Sequence, residues 1–211
     1  MEFLKLIIYK VKKISMNFSM LKKVTFAMLV CLFLISCSST SNLKYYQKED
    51  FFGLNKLAVL PFENLTNDKN AHEKIRAILI SELLKKGVEV LDPGEVNRAL
   101  EEMKVASVGA LRVAELQELG KKLSVDGIIV GSVENFEINR GGSVSFVSYP
   151  EVTINLRLIE VNSGKMLWSI RHSKNGLNFW VRHFGTEPMT LTECAREVVK
   201  EAVDTLFKGN R

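Results

Sequence analysis

Motifs that carry chemistry are what this 211-residue sequence lacks. It contains no glycine-rich loop ending in Gly-Lys-Ser or Gly-Lys-Thr, no dinucleotide-binding glycine turn, no Gly-x-Ser-x-Gly elbow and no His-Glu-x-x-His helix. Histidine is scarce, and His72, His172 and His183 stand apart from one another. Only His172 and His183 could face each other across the loop between them, and no further ligand has metal-binding spacing. No metal is therefore expected, and solvent-facing histidines are the simpler reading. The carboxylates are scattered over helix surfaces. A pair such as Glu134 and Glu137 is expected to be solvated, because nothing in the sequence supplies a desolvating pocket. The chain is expected not to be an enzyme and to need no cofactor.

Long apolar runs and cysteines are also few. The run from Val24 to Ile35 is a dozen residues, whereas a membrane-spanning helix needs about 20. With Lys22-Lys23 before it and Ser36-Cys37 after it, the run has the three parts of an export signal: a basic start, a short apolar core and a small residue at the cleavage point. Leu34-Ile35-Ser36-Cys37 resembles the lipobox of bacterial lipoprotein precursors, which implies cleavage before Cys37 and a covalent lipid on that cysteine. Residues 1–18 have no part in such a signal, so Met16 and Met20 are alternative starts. Cys31 leaves with the signal and Cys37 carries lipid, so Cys194 is the one thiol left and no internal disulfide can form. It lies on the apolar stripe of an expected helix and is read as a small core residue.

An excess of charge of either sign is missing as well, once the signal is removed. Six of the 29 basic residues and one of the 24 acidic residues precede Cys37, which leaves 23 of each. The net charge of +5 belongs to the discarded segment. No basic surplus remains to argue for nucleic acid.

What remains reads as one globular domain behind a short polar stretch. The expected boundaries are 1–36 for the signal peptide, 37–50 for the acylated cysteine and an irregular polar tether, and 51–211 for a periplasmic domain. Lys56 to Phe62 is an apolar run ended by a proline, a buried strand. Asn67 or Asp68 can cap the next helix, Ala71 to Lys86, which places Ile75, Ile78, Leu79, Ile80, Leu83 and Leu84 on one broad face and stops at Gly87. A short strand at Val88 to Leu91 precedes Asp92-Pro93-Gly94-Glu95, which opens a helix to about Met103. A further helix, Leu111 to Leu123, leads into the apolar strand Val125 to Val133. From Gly127 to Arg171 the alternation of Val152, Ile154, Leu156 and Leu158, with a turn at Asn162 to Lys165, predicts a three-stranded antiparallel meander. Pro150, with no N–H to donate, marks an edge or a bulge. Thr190 and Glu193 form a capping box for a closing helix with Leu191, Cys194, Val198, Ala202 and Leu206 on one face and Gly209 at its end. The sum is a single α/β (α+β) domain, a mixed sheet with an antiparallel meander and helices packed on it.

One stretch resists this scheme. Leu177 to Gly185 lies where a polar connector is expected, yet it holds Phe179, Trp180 and Phe184. Adjacent residues of an extended chain point to opposite faces, so Phe179 and Trp180 cannot both enter the core. Either one ring is core and one lies on the surface, or the pair is a contact with the membrane or a partner.

The order of several segments resembles one group of bacterial envelope proteins. These are Val59-Leu60-Pro61-Phe62 followed by Asn64-Leu65-Thr66; Leu119-Gly120-Lys121 leading to Asp126 through Val133; Ile154 through Val161 with Ser163-Gly164; and Glu187-Pro188-Met189 entering the last helix. Together they resemble the CsgG, PelC and LpoB group of lipoproteins, whose α/β domain is similar to the N-terminal domain of TolB. The resemblance implies a non-catalytic periplasmic domain that forms homo-oligomers or engages an envelope protein partner. Its expected role is a ring-forming accessory or scaffold of a secretion or polysaccharide export assembly; the alternative is an LpoB-like regulator of a peptidoglycan synthase. The short tether favours the scaffold. Asn139 to Pro150 leaves no room for a membrane-spanning hairpin, so a pore formed by this chain alone is not expected. Ser38 follows Cys37 where, in the sorting pattern this signal resembles, an aspartate retains a protein in the inner membrane. The expected address is the periplasmic face of the outer membrane.

Overall fold

The computed structural model describes residues 42–47, 54–140, 148–177 and 187–208. Within them, seven strands form one mixed sheet: β1 (Asn42–Gln47), β2 (Lys56–Val59), β3 (Glu63–Asn64), β4 (Glu89–Val90), β5 (Gly127–Arg140), β6 (Ser148–Glu160) and β7 (Met166–Asn175). The order across the sheet is β1-β7-β6-β5-β2-β4, with β3 continuing beside β5 beyond the end of β2. Strands β2, β3 and β4 run parallel to β5 or to its neighbour, and β5 to β7 form the expected antiparallel meander, with β1 antiparallel to β7.

Four helices, α1 (Ala71–Lys85), α2 (Pro93–Glu102), α3 (Val113–Leu123) and α4 (Leu191–Leu206), cover the sheet, and a 3-10 turn (Val108–Ala110) precedes α3. On one face α1 and α4 bury Val133, Phe136, Ile154, Leu156, Leu158 and Trp168. On the other, α2 and α3 bury Ala58, Leu60, Ile128, Val130, Ile159 and Val161. The first four residues of β5, Gly127 to Val130, are buried on both sides, which is why they read as an unbroken apolar run. Past the reach of α2 and α3 the same strand alternates, with Val133 and Phe136 buried and Glu137 exposed. Each fully buried aliphatic or aromatic side chain of this kind contributes about 1.5–3 kcal/mol relative to exposure.

Local signals set the helix ends. Asp92 accepts the Gly94 N–H at 2.7 Å, with Pro93 at the first helical position. Thr190 and Glu193 form the reciprocal capping box. Gly87 takes φ +81°, a left-handed stop that a residue with a Cβ resists. At Gly120 an added Cβ would lie 2.3 Å from Val161 Cγ2, so glycine there lets α3 sit against the sheet.

Several expectations are corrected. Asn42–Gln47, placed in an irregular tether, is the edge strand β1, because the outer edge of β7 offers unpaired backbone groups that any extended sequence can satisfy. Leu84 is 54% exposed, since the α1 face that meets the sheet is narrower than the sequence stripe. The N-cap of α1 is Asn70, without a side-chain cap bond, while Asp68, two residues earlier, accepts the Asn70 N–H. Helix α3 begins at Val113 because the 3-10 turn occupies the preceding residues. Of the two alternatives for Pro150 the edge holds and the bulge does not: it lies opposite Ile138 where β6 is not yet paired with β7, and the register irregularities fall at Val133/Asn135 and Leu158/Ile159. Pairing of β6 with β7 starts only at Glu151, so the missing N–H costs no bond on that side. Gly209 lies outside the described residues.

Candidate functional site

Strand directions bring one end of the sheet into focus. The register pairs Asn42, the start of β1, with Ser173 near the end of β7. Arg140, the end of β5, pairs with Ser148, the start of β6, and Glu151 pairs with Asn175. The start of β1, the β5–β6 connection and the exit from β7 therefore share one end. Gly176 donates to the Pro150 carbonyl at 2.8 Å and fixes that exit. Ile138, 61% exposed, lies beside it. Cys37, Phe179 and Trp180, the site residues expected from sequence, lie outside the described residues, as does His183. Cys37 is five residues before Asn42, a reach of at most about 17 Å. Phe179 and Trp180 come two and three residues after Leu177.

The return of the chain into α4 is held by a polar cluster that the sequence reading missed. His172 was expected to face solvent, yet it is fully buried on the α4 side of β7. Its Nε2 lies 2.6 Å from Glu201 Oε2, and its buried Nδ1 has no hydrogen-bond partner among the described residues. Lys174 Nζ donates to Glu197 at 2.7 Å and also to Glu201. Burial opposes the charge on Glu201, but hydrogen bonds from Lys174 and His172 outweigh it and hold the carboxyl below its ordinary range. Burial likewise opposes the Lys174 charge, and its two carboxylate partners raise its pKa above the ordinary value. One turn further along α4, the Trp168 indole N–H donates to Thr205 Oγ1 at 3.0 Å. The signal for all of this was present: Trp168, His172 and Lys174 share one face of a period-2 strand, and Glu197, Glu201 and Thr205 recur every four residues on α4.

Cys194 packs as expected. It is buried, its Sγ donates to the Lys174 carbonyl at 3.3 Å, and desolvation pushes the thiol pKa up to about 11. Such a thiol is a poor nucleophile. Glu134 is paired with Arg171 at 2.6 Å, and Glu137 is exposed, so neither is arranged as a general acid or base. Among the described residues no group of His, Cys, Asp and Glu could hold a metal ion, and no helix is long and apolar enough to cross a membrane.

Comparison with known proteins agrees with this fold. The sequence model for CsgG, the curli production assembly/transport component, matches residues 53–208. Among solved structures, a PelC dodecamer from Paraburkholderia phytofirmans superposes with a TM-score of 0.53 at 16% identity, over 79% of this chain and 97% of that one. Lipoprotein GNA1162 from Neisseria meningitidis gives 0.53 at 18% identity, over 72% and 96%. At these identities the likeness is one of fold. No curated protein matches the sequence.

Proposed function

The chain belongs to the family of CsgG, the curli production assembly/transport component, and from that premise we propose that it is a lipid-anchored, non-catalytic scaffold of an envelope secretion or export assembly. In this reading Cys37 is acylated, the protein sits on the periplasmic face of the outer membrane, and several copies form a ring. One observation carries it: the start of β1, five residues after Cys37 in the sequence, the end of β5 and the end of β7 share one end of the sheet. A leash of about 17 Å holds that end against the bilayer, where the two aromatic residues meet the lipid interface or the neighbouring copy. The dodecameric state of the PelC structure supports a ring. A single acyl chain anchors only reversibly, so the several chains that the lipobox resemblance implies on Cys37 make the anchor stable.

The test is made on the full-length protein. Wild type should fractionate with the outer membrane, carry lipid on the peptide that begins at Cys37, and run in mild detergent as a defined oligomer by light scattering. Cys37→Ser should release it from the membrane. Trp180→Ala should weaken membrane or oligomer association while the unfolding midpoint stays unchanged. A strict monomer at high concentration removes the ring, and an unmodified Cys37 in membrane-bound protein removes the anchor.

A further inference from the structure

The face of the sheet that carries α2 and α3 holds a cavity of about 320 Å³, between the 3-10 turn, the start of α3 and strands β5 and β6. That volume is at the lower end of small-ligand sites. Leu111, Leu116, Val130 and Ile159 give it an apolar lining. Ser132, Asn155 and Arg157 line it as well, and the β5–β6 register places Asn155 opposite Ser132 and Arg157 opposite Val130, all on one face. Glu63 contributes from β3. Its carboxylate rests on Gly109, where an added Cβ would lie 1.6 Å from Oε1.

The charges of this cavity are not matched to each other. Arg171, on the same face, is neutralised by Glu134 at 2.6 Å. Arg157 is exposed and, among the described residues, its guanidinium makes no ion pair or hydrogen bond. Glu63 lines the same cavity and does not pair with it. An apolar cleft with an unpaired guanidinium, an amide and a hydroxyl on one wall and a carboxylate on another fits a ligand with three parts: an anionic head, an apolar body and an N–H donor. A fatty acid lacks the donor, and a phosphate lacks the body. The last residue of a polypeptide has all three when its side chain is aliphatic. Backbone-terminus capture of this kind is a recurring mode of peptide recognition.

We propose that this cavity binds the carboxy-terminal end of a polypeptide with an aliphatic last residue. Its carboxylate meets Arg157, supported by Asn155 and Ser132, its side chain enters among Leu116, Val130 and Ile159, and its terminal amide N–H is directed to Glu63. Planar guanidinium and carboxylate pair through two parallel hydrogen bonds, which gives Arg157 the leading part. The inference is independent of the lipid anchor and of ring formation.

The experiment follows the methyl resonances of isoleucine, leucine and valine in the full-length protein held in lipid nanodiscs, titrated with N-acetyl-leucine, its amide N-acetyl-leucinamide, or octanoate. The expected result is saturable shifts at Leu116, Val130 and Ile159 with N-acetyl-leucine, and binding at least tenfold weaker with the amide and with octanoate. Arg157→Ala should abolish saturation and Arg157→Lys should retain a weakened form of it, both with the dispersed methyl spectrum of a folded domain. Glu63→Gln should narrow the preference for N-acetyl-leucine over octanoate. Equal binding of acid and amide, an unchanged titration in Arg157→Ala, or no saturation with N-acetyl-leucine overturns the proposal. Octanoate binding as tightly as N-acetyl-leucine overturns the assignment to a polypeptide end.

Discussion

The two faces of the sheet differ in what they ask of the same strands. On the side of α1 and α4, β5, β6 and β7 present Val133, Phe136, Val152, Ile154, Leu156, Trp168 and Ile170, all buried. On the other side, beside and beyond α2 and α3, they present Glu134, Asn155, Arg157, Ser169 and Arg171. The backbone register is common to both faces, so side-chain chemistry alone separates a face that stabilises the domain from one left accessible to other molecules. On the closed face the Trp168 indole is satisfied at close range by Thr205, whereas the buried Nδ1 of His172 is left without a partner among the described residues. Substitutions should therefore cost much on the first face and little on the second.

The largest expected effect is Trp168→Ala. Removing a fully buried indole leaves a cavity under α4 and deprives Thr205 of its donor. Urea unfolding should show a loss of about 3–5 kcal/mol. A loss below about 1 kcal/mol would mean that α4 does not close this face. Next comes Arg76→Met. The Arg76 guanidinium is buried and donates to the Val59 carbonyl at 3.1 and 2.8 Å and to Asn97 at 3.1 Å. It thus ties α1 to the end of β2 and to α2, and joins the elements of the two faces. Methionine fills the volume of the alkyl stem but leaves a buried carbonyl without its donors. The expected loss is about 1–3 kcal/mol by the same measurement.

The contrast between faces also explains what the sequence discloses. Alternation in β6 and the capping box at Thr190 report directly on local geometry, so the meander and α4 were legible. Burial of Cys194 followed from its place on an apolar stripe. His172 and Lys174 were not legible as a cluster, because polar residues on a buried face look like exposed ones until Glu197 and Glu201 are brought to them from a helix distant in sequence. The edge strand β1 was hidden for a related reason: its pairing is by backbone, and its apolar residues Leu43, Tyr45 and Tyr46 do not keep the strict alternation that marks a half-buried strand. The cavity at Arg157 needs β3, the 3-10 turn and β6 together, and no short window of sequence contains all three.

The polar cluster under α4 should give the closed face its pH dependence. Glu201 is held below its ordinary 4.5, so its contribution to stability is present above that pH and is lost as pH falls through the lowered value. Lys174 is held above its ordinary 10.5, so its contribution is complete below that pH and is lost as pH rises through the raised value. Glu201→Gln should lower stability at neutral pH and flatten the acid limb of the stability profile, measured as the urea midpoint between pH 7 and pH 3. An acid limb as steep in Glu201→Gln as in wild type would assign the acid sensitivity to other carboxylates.

The smallest effect should come from the open face, and it sharpens the contrast most. Arg171 and Glu134 form a good ion pair, at 2.6 Å with a second contact from Nε at 2.9 Å, yet the Arg171 side chain is 63% exposed. Water and salt screen such a pair, and ordering two long side chains offsets much of the attraction, so its net worth is about 0.2–1 kcal/mol. A double-mutant cycle with Arg171→Ala and Glu134→Ala isolates it from the packing of either residue. The coupling should fall further in 1 M salt, where the screening length is about 3 Å. A salt-insensitive coupling above about 2 kcal/mol would mean that this part of the sheet is covered in the native protein, and would move it from the accessible face to the closed one.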